Sequence, residues 1–140
     1  MAGSELLGPL GAFKTNLLSL RQRRQEIIST NVANVDTPGY KANRLEFEAE
    51  LRAAMPALDE LPLSRSSPTH LPTPYGPHVE GELQTVETPI LKGDGNSVNL
   101  EQEMAQQSAN QLLYNYAAQS LNGQINTLRM AISGGDGSAR

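Results

Sequence analysis

The sequence has no cysteine among its 140 residues. That absence excludes disulfides, thiolate metal sites and a cysteine nucleophile, and it leaves the compartment open, since such a chain is indifferent to redox conditions. Tryptophan is missing too, and Phe13 and Phe47 are the only phenylalanines. Leu, Ile, Val and Phe together make 31 residues, about 22%, just above the roughly 20% below which chains tend to stay unfolded. A basic surplus is also lacking. The 11 Lys and Arg stand against 15 Asp and Glu, a net charge of −4 and a pI near 5.1. Such a balance argues against a dedicated nucleic-acid binder, which must displace phosphate counterions. No apolar run approaches the ~20 residues that cross a bilayer, so no direct membrane insertion is expected. The first ten residues, M-A-G-S-E-L-L-G-P-L, lack a basic stretch followed by a long apolar core, so no Sec-type cleavable signal is expected. One domain is the default at this length. Its thin apolar content predicts a part-ordered chain that completes its burial on partners.

Three segments differ in character: residues 1–40, 41–97 and 98–140. Seven of the nine prolines (Pro56, Pro62, Pro68, Pro72, Pro74, Pro77 and Pro89) lie in the middle one. So does the charge imbalance, with Lys41, Arg44, Arg52, Arg65 and Lys92 against nine acidic residues. The last segment carries the strongest periodicity. Leu100, Met104, Gln107, Gln111, Tyr114, Ala118, Leu121, Ile125, Leu128 and Ile132 are spaced 4-3-4-3 throughout, the pattern of a coiled-coil seam. Asn99 and Gln102 suit a capping box, and Gly134-Gly135 suits a helix stop. The first segment carries a matching line, Leu6, Leu10, Phe13, Leu17, Leu20, Arg24, Ile27, Asn31 and Asn34. Its helix is placed at about 12–35, with G-P-L-G at 8–11 fraying or delaying the start. Ile28, Val32 and Val35 are ready to take over where polar residues interrupt the line.

The fold expected is therefore mainly α. Long N- and C-terminal helices form an antiparallel coiled-coil hairpin, and a mostly irregular, proline-rich middle holds a short helix and short β-strands. Phe47, Leu51, Ala54, Met55 and Leu58 fit a helix face, with the helix favoured to about Ala54, although residues 45–51 also alternate like a strand. Residues 82–90 suit one or two short strands with Val86 and Ile90 inward.

Little of the chain suggests chemistry. His78-Val79-Glu80 has the H-x-E of zinc deaminases without their cysteine pair. Asp94-Gly95-Asn96 opens like a calcium loop but lacks the glycine at position 6, so a helix-entry turn is the better account. His70, His78, Glu46, Glu48 and Glu50 read as solvated groups. Arg21, Arg23 and Arg24 read as a solvated face or as a contact for an acidic neighbour. No catalytic, cofactor or metal residues are expected, and no enzyme activity. The most specific stretch closes the first helix: N-V-A-N-V-D-T-P-G-Y-K at 31–41. Pro38-Gly39 is the pair of a type II turn, and the Asn31 and Asn34 amides share a helix face from which they could bridge to backbone on a neighbouring chain.

That stretch resembles the N-terminal signature of the flagellar rod and hook proteins, A-N-[IL]-A-N-x-x-T-P-G-[YF]-K, with Thr30 and Val32 as mild departures. L-R-Q-R-R-Q-E-I-I at 20–28 is similar to the L-x-x-x-R-Q-x-[VIL] run of a short proximal rod branch of that family. S-P-T-H-L at 67–71 resembles its D-P-x-H-[LI]. Residues 96–105 and 110–114 resemble its N-x-V-D-[LM]-x-x-E-M-A and N-x-x-x-Y, with Asn99 in place of Asp. The FlgC type, also a short proximal rod protein, is the close competitor.

The resemblance implies a structural subunit of the bacterial flagellar basal-body rod, exported without a cleavable signal and polymerising in the periplasm into the drive shaft. It implies as partners further copies of the chain, rod proteins of the FlgC, FlgF, FlgG and FliE types, the MS ring and the flagellar type III export apparatus. The assembly residues expected are the seams (Leu17, Leu20, Ile27, Leu121, Ile125, Leu128) and the turn (Asn31, Asn34, Thr37, Pro38, Gly39, Tyr40). Ile125 in particular is expected to be a buried seam position. A coiled-coil adaptor or export chaperone is the alternative.

Overall fold

Proline near the start of a helix costs no hydrogen bond, because the first N–H groups have no intrahelical partner and the ring presets φ. Helix α1 (Gly8–Ala33) accordingly begins at Gly8 with Pro9 in its first turn, rather than near residue 12. Gly11 is a packed position: a Cβ there would collide with the Leu7 side chain and reach 3.5 Å from the Gln124 amide. The structure, a computed structural model, describes residues 7–55, 78–86 and 93–134. After α1 come strand β1 (Asn43–Glu46), helix α2 (Glu48–Ala54), strand β2 (Glu82–Thr85) and helix α3 (Leu100–Gly134). Among the described residues the fold is mainly α, with two long helices and a two-stranded sheet. Leu6, Leu58, His70, the 67–71 piece, Ile90 and all seven middle-segment prolines lie outside the described residues.

Helix α3 begins as its residues dictate. Asn99 caps it, its Oδ1 accepting the Gln102 N–H at 3.2 Å, and the helix runs to Gly134, the last described residue, so the expected Gly134-Gly135 stop reaches outside the described residues. The ambiguous stretch around Leu45 splits in two. Residues 43–46 pair antiparallel with β2, Leu45 opposite Leu83, and the helix then runs from Glu48 to Ala54. Alternation won over helix propensity there because pairing puts Leu45 and Phe47 on the buried side, at 0% and 1% exposure. Val86 continues the pairing, its N–H donating to the Ala42 carbonyl at 2.8 Å.

The hydrophobic core joins Leu20 of α1 to Leu45, Phe47, Ala54 and Val79, with Phe13, Leu17, Ile27 and Leu51 packed around it. The apolar line of α1 is therefore covered by the β1–α2 arm and the segment entering β2. No residue of the apolar line of α3 belongs to this cluster. This corrects the expected register of the two seams. Helices α1 and α3 do lie antiparallel, but through a different and largely polar face. Lys14 Nζ donates to the Ser120 carbonyl at 3.3 Å, Asn110 Nδ2 to the Arg21 carbonyl at 2.9 Å, and Gln124 Nε2 to the Leu7 carbonyl at 3.0 Å. On α3 the buried residues are Glu103, Asn110 and Ala117, again at heptad-like spacing but one residue out of phase with the expected line. Leu100, Met104, Gln107, Gln111, Ile125, Leu128 and Ile132 are exposed, while Tyr114, Ala118 and Leu121 are half-buried. The physical reason is competition. Once the arm has taken the apolar stripe of α1, that helix offers α3 backbone carbonyls and polar groups instead.

Candidate assembly site

Two buried asparagines organise the junction where α1 ends and α3 begins. Asn31, in the last turn of α1, is 1% exposed and has every polar atom engaged. Its Nδ2 donates to the Asn43 carbonyl at 2.8 Å and to Glu103 Oε2 at 3.2 Å. Its Oδ1 accepts the Asn43 N–H at 3.0 Å and the Tyr40 hydroxyl at 3.2 Å. One side chain thus ties α1 to β1, to the turn and to α3. Glu103 lies in the first turn of α3, where the helix dipole favours a carboxylate.

Asn96 is the counterpart from the other side, 2% exposed. Its Nδ2 donates to the carbonyls of Asn34, Val35 and Thr37 at 2.8–2.9 Å. Its Oδ1 accepts the Val98 N–H at 2.7 Å. An amide nitrogen carries two hydrogens, so three acceptors mean that one bond is shared. Around this pair the backbone closes: Gly39 N–H to the Asp94 carbonyl at 2.9 Å and Ser97 N–H to the Tyr40 carbonyl at 3.1 Å. The Ser97 hydroxyl accepts the Ala42 N–H at 2.9 Å. Asp94 Oδ1 accepts the Asn96 N–H at 3.0 Å, the helix-entry turn expected in place of a calcium loop.

The signature turn is held from behind and presents its rim outward. Gly39 has φ +72°, and the Tyr40 N–H returns to the Thr37 carbonyl at 3.2 Å, the closure of a type II turn. Asp36, Thr37, Pro38 and Gly39 are exposed and Tyr40 is half-buried. Asn34 Nδ2 donates to the Thr30 carbonyl at 2.8 Å, and its Oδ1 accepts the Thr37 hydroxyl at 3.2 Å. The Asn31 amide is therefore fully engaged within the chain rather than bridging to a neighbour, while Asn34 is half-buried with one amide hydrogen used. The geometry brings Asn31, Asn34, Thr37, Pro38, Gly39 and Tyr40 together. Leu17, Leu20 and Ile27 sit against the arm, and Leu121, Ile125 and Leu128 lie toward the far end of α3.

The arginines of α1 also find partners at home. Arg24 donates to both carboxylate oxygens of Glu48 and to the Leu45 carbonyl, and its guanidinium lies 4.2 Å from the Phe47 ring centroid. Arg21 lies over the same ring at 4.9 Å, 8% exposed, with Glu48 at 3.7 Å. Arg23 donates to the Glu80 carbonyl at 3.1 Å. The three arginines thus tie the arm to α1, with Arg23 itself exposed. Burial alone would push the Glu48 carboxyl up; the Arg24 hydrogen bonds and charge, with backbone N–H groups, outweigh it and leave it below the ordinary carboxylate value. His78 Nδ1 meets Asn16 Nδ2 at 3.1 Å on the surface.

Sequence reasoning missed Asn96, Glu103 and Asn110 as organising residues. Asn96 stood in the quoted N-x-V motif, and its position one turn ahead of the Asn99 cap was the available signal. Nothing in local spacing could supply its three acceptors, which lie 59–62 residues away.

Comparison with known proteins agrees with the turn and its frame. The family described as "Flagella basal body rod protein" matches residues 16–41, α1 from Asn16 onward with the signature turn. The flagellar basal body rod protein FlgB of Escherichia coli K12 is 34% identical over 132 residues, covering 89% of this chain and 93% of the relative. The chain belongs to the FlgB family of flagellar basal body rod proteins. FlgB of Salmonella typhimurium is 33% identical over 130 residues, and FlgB of Proteus mirabilis HI4320 is 32% identical over 127. In both cases 93% of the relative is covered, so the FlgB likeness includes the arm and α3 as well as the signature.

Proposed function

We propose that this chain is a structural, non-enzymatic subunit of the proximal flagellar rod, carried into the periplasm through the flagellar type III apparatus and assembled there into the shaft that transmits torque. One observation carries the reading. Of the 4-3 line of α3, Leu100, Met104, Ile125, Leu128 and Ile132 are exposed, the last three lying past the Gln124–Leu7 contact at the start of α1, while Tyr114, Ala118 and Leu121 are half-buried. Exposed apolar surface of this extent on one helix marks an interaction face. A 3.5-residue repeat suits helices of neighbouring subunits, so the coiled-coil seam becomes an intersubunit one. Further copies, rod proteins of the FlgC, FlgF, FlgG and FliE types and the MS ring are the neighbours proposed, with 41–97 as the outer segment. The signature turn, rigid behind and exposed in front, gives each subunit a fixed edge.

The test is a strain lacking the chain, complemented with a tagged copy. Basal bodies isolated from it should contain the tag in the rod, and the uncomplemented strain should not swim. Swimming without the chain, or a tag found only in a soluble complex with an exported client, would favour the adaptor reading instead.

A further inference from the structure

An open cleft of about 290 Å³ lies between α1, β1 and α3, lined among others by Arg21, Arg24, Arg44, Gln106 and Asn110. Its polar groups are not balanced. Three guanidinium groups share two carboxylates, Glu46 and Glu48, and Glu48 is taken up by Arg24. Arg44 is half-buried and, among the described residues, its side chain has neither a hydrogen bond nor an ion pair. Gln106, opposite on α3, is half-buried and likewise without a side-chain partner among the described residues. Arg21 Nε is a buried, unpartnered donor as well. Burial and the neighbouring Arg24 both work against the Arg21 charge, with Glu48 only partly opposing them. A positive cleft with idle donors on two elements is short of an anion.

We infer that this cleft receives a carboxylate side chain of an adjacent rod subunit, with Arg44 as its ion-pair partner and Gln106 as a second donor. The inference rests on the rod-subunit reading above. A carboxylate fits better than a phosphate because Glu46 and Glu48 at the rim would repel a doubly charged group, whereas a single charge is outnumbered by three guanidiniums. Arg44 is the specific residue, since Arg21 and Arg24 are already committed to Phe47 and Glu48. A planar guanidinium grips a carboxylate through two parallel bonds, so glutamine or glutamate at position 44 would lose the contact.

The experiment uses the full chain in isolated basal bodies. Arg44→Lys places a primary amine at the cleft, and a carbodiimide then joins that amine to any carboxylate in contact, forming an amide bond with loss of water to the reagent. Mass spectrometry should find position 44 linked to an acidic residue of another subunit, and Arg44→Gln should give no such link. Arg44→Glu should leave the circular dichroism and urea midpoint of the purified chain unchanged while lowering swimming several-fold. Links only to Glu46 or Glu48 of the same chain, or full swimming by Arg44→Glu, would overturn the inference. The rod reading would survive that result so long as the uncomplemented strain does not swim.

Discussion

Asn96→Ala tests the clasp most directly. The amide group makes bonds to three carbonyls of the turn and accepts the Val98 N–H, all at 2.7–2.9 Å and 2% exposure. Two donor hydrogens at about 1 kcal/mol net each give about 2 kcal/mol. Leaving the Val98 N–H without its acceptor adds about 1 kcal/mol or more, although a water entering the vacated space would recover part of it. The expected loss is about 3 kcal/mol, read as a shift in the urea midpoint by circular dichroism. Hydrogen exchange should show the amides of Gly39, Ser97 and Val98 losing protection first. Asn96→Asp separates hydrogen bonding from shape. It keeps the acceptor for Val98 but turns a carboxylate toward three carbonyl oxygens, so at neutral pH it should be worse than alanine. Protonation restores one donor, and the folded-state pKa is raised, so the defect should ease as pH falls toward 4. If Asn96→Ala unfolds within 1 kcal/mol of wild type, or Asn96→Asp shows no such recovery, the clasp does not hold the turn.

Three further outcomes follow from the same structure. Phe47→Ala removes the largest fully buried side chain and the ring under two arginines, and should cost about 3 kcal/mol or more, with α2 exchanging freely in hydrogen exchange. The lowered Glu48 pKa means that its contribution to stability is fully present above the ordinary value of 4.5 and is lost as pH falls through the folded-state value. An acid titration should therefore loosen the arm below about pH 4.5, and Glu48→Gln should abolish that dependence. Ile125→Asp should leave the isolated chain within about 0.5 kcal/mol of wild type, because the side chain is 42% exposed there, yet abolish swimming, while Ile125→Leu swims. A motile Ile125→Asp strain would refute the intersubunit seam.

Helix α3, its Asn99 cap, the α2 end at Ala54 and the type II turn were legible because each depends on residues within a turn of one another. The pairing of elements was not. The 4-3 lines of α1 and α3 are both real, and two apolar stripes in one chain invite the inference that they meet. The stripe of α1 meets Leu45, Phe47 and Val79 instead, a match set by strand pairing across the middle of the chain. Asn31 was singled out for a bridge to a neighbouring chain, whereas its partners in the structure, Asn43 and Glu103, lie 12 and 72 residues away in the same chain, beyond any periodicity argument. Arg21 and Arg24 looked like surface because charged residues on a helix usually are. Their burial follows from a single aromatic ring that local composition did not mark.

The polar face between α1 and α3 has its own consequence, tested by Asn110→Leu. Asn110 is 3% exposed, donates to the Arg21 carbonyl and to Gln25, and leaves its own Oδ1 buried without a partner. That orphan offsets much of what the two bonds contribute. Leucine would remove the orphan and the bonds together and add apolar burial, so the isolated chain should be no less stable, within about 1 kcal/mol. What leucine cannot do is fix register. A polar group at a helix seam accepts one alignment, while an apolar one slides between several. Register matters here because α1–α3 pairing decides which way the Ile125–Leu128 line points. Asn110→Leu should therefore keep its helix content, lose specific α1–α3 cross-links between cysteines placed at positions 14 and 120, and assemble poorly. A variant that cross-links and swims like wild type would show that the clasp alone sets the alignment. A variant that unfolds would show that the polar face contributes stability rather than register.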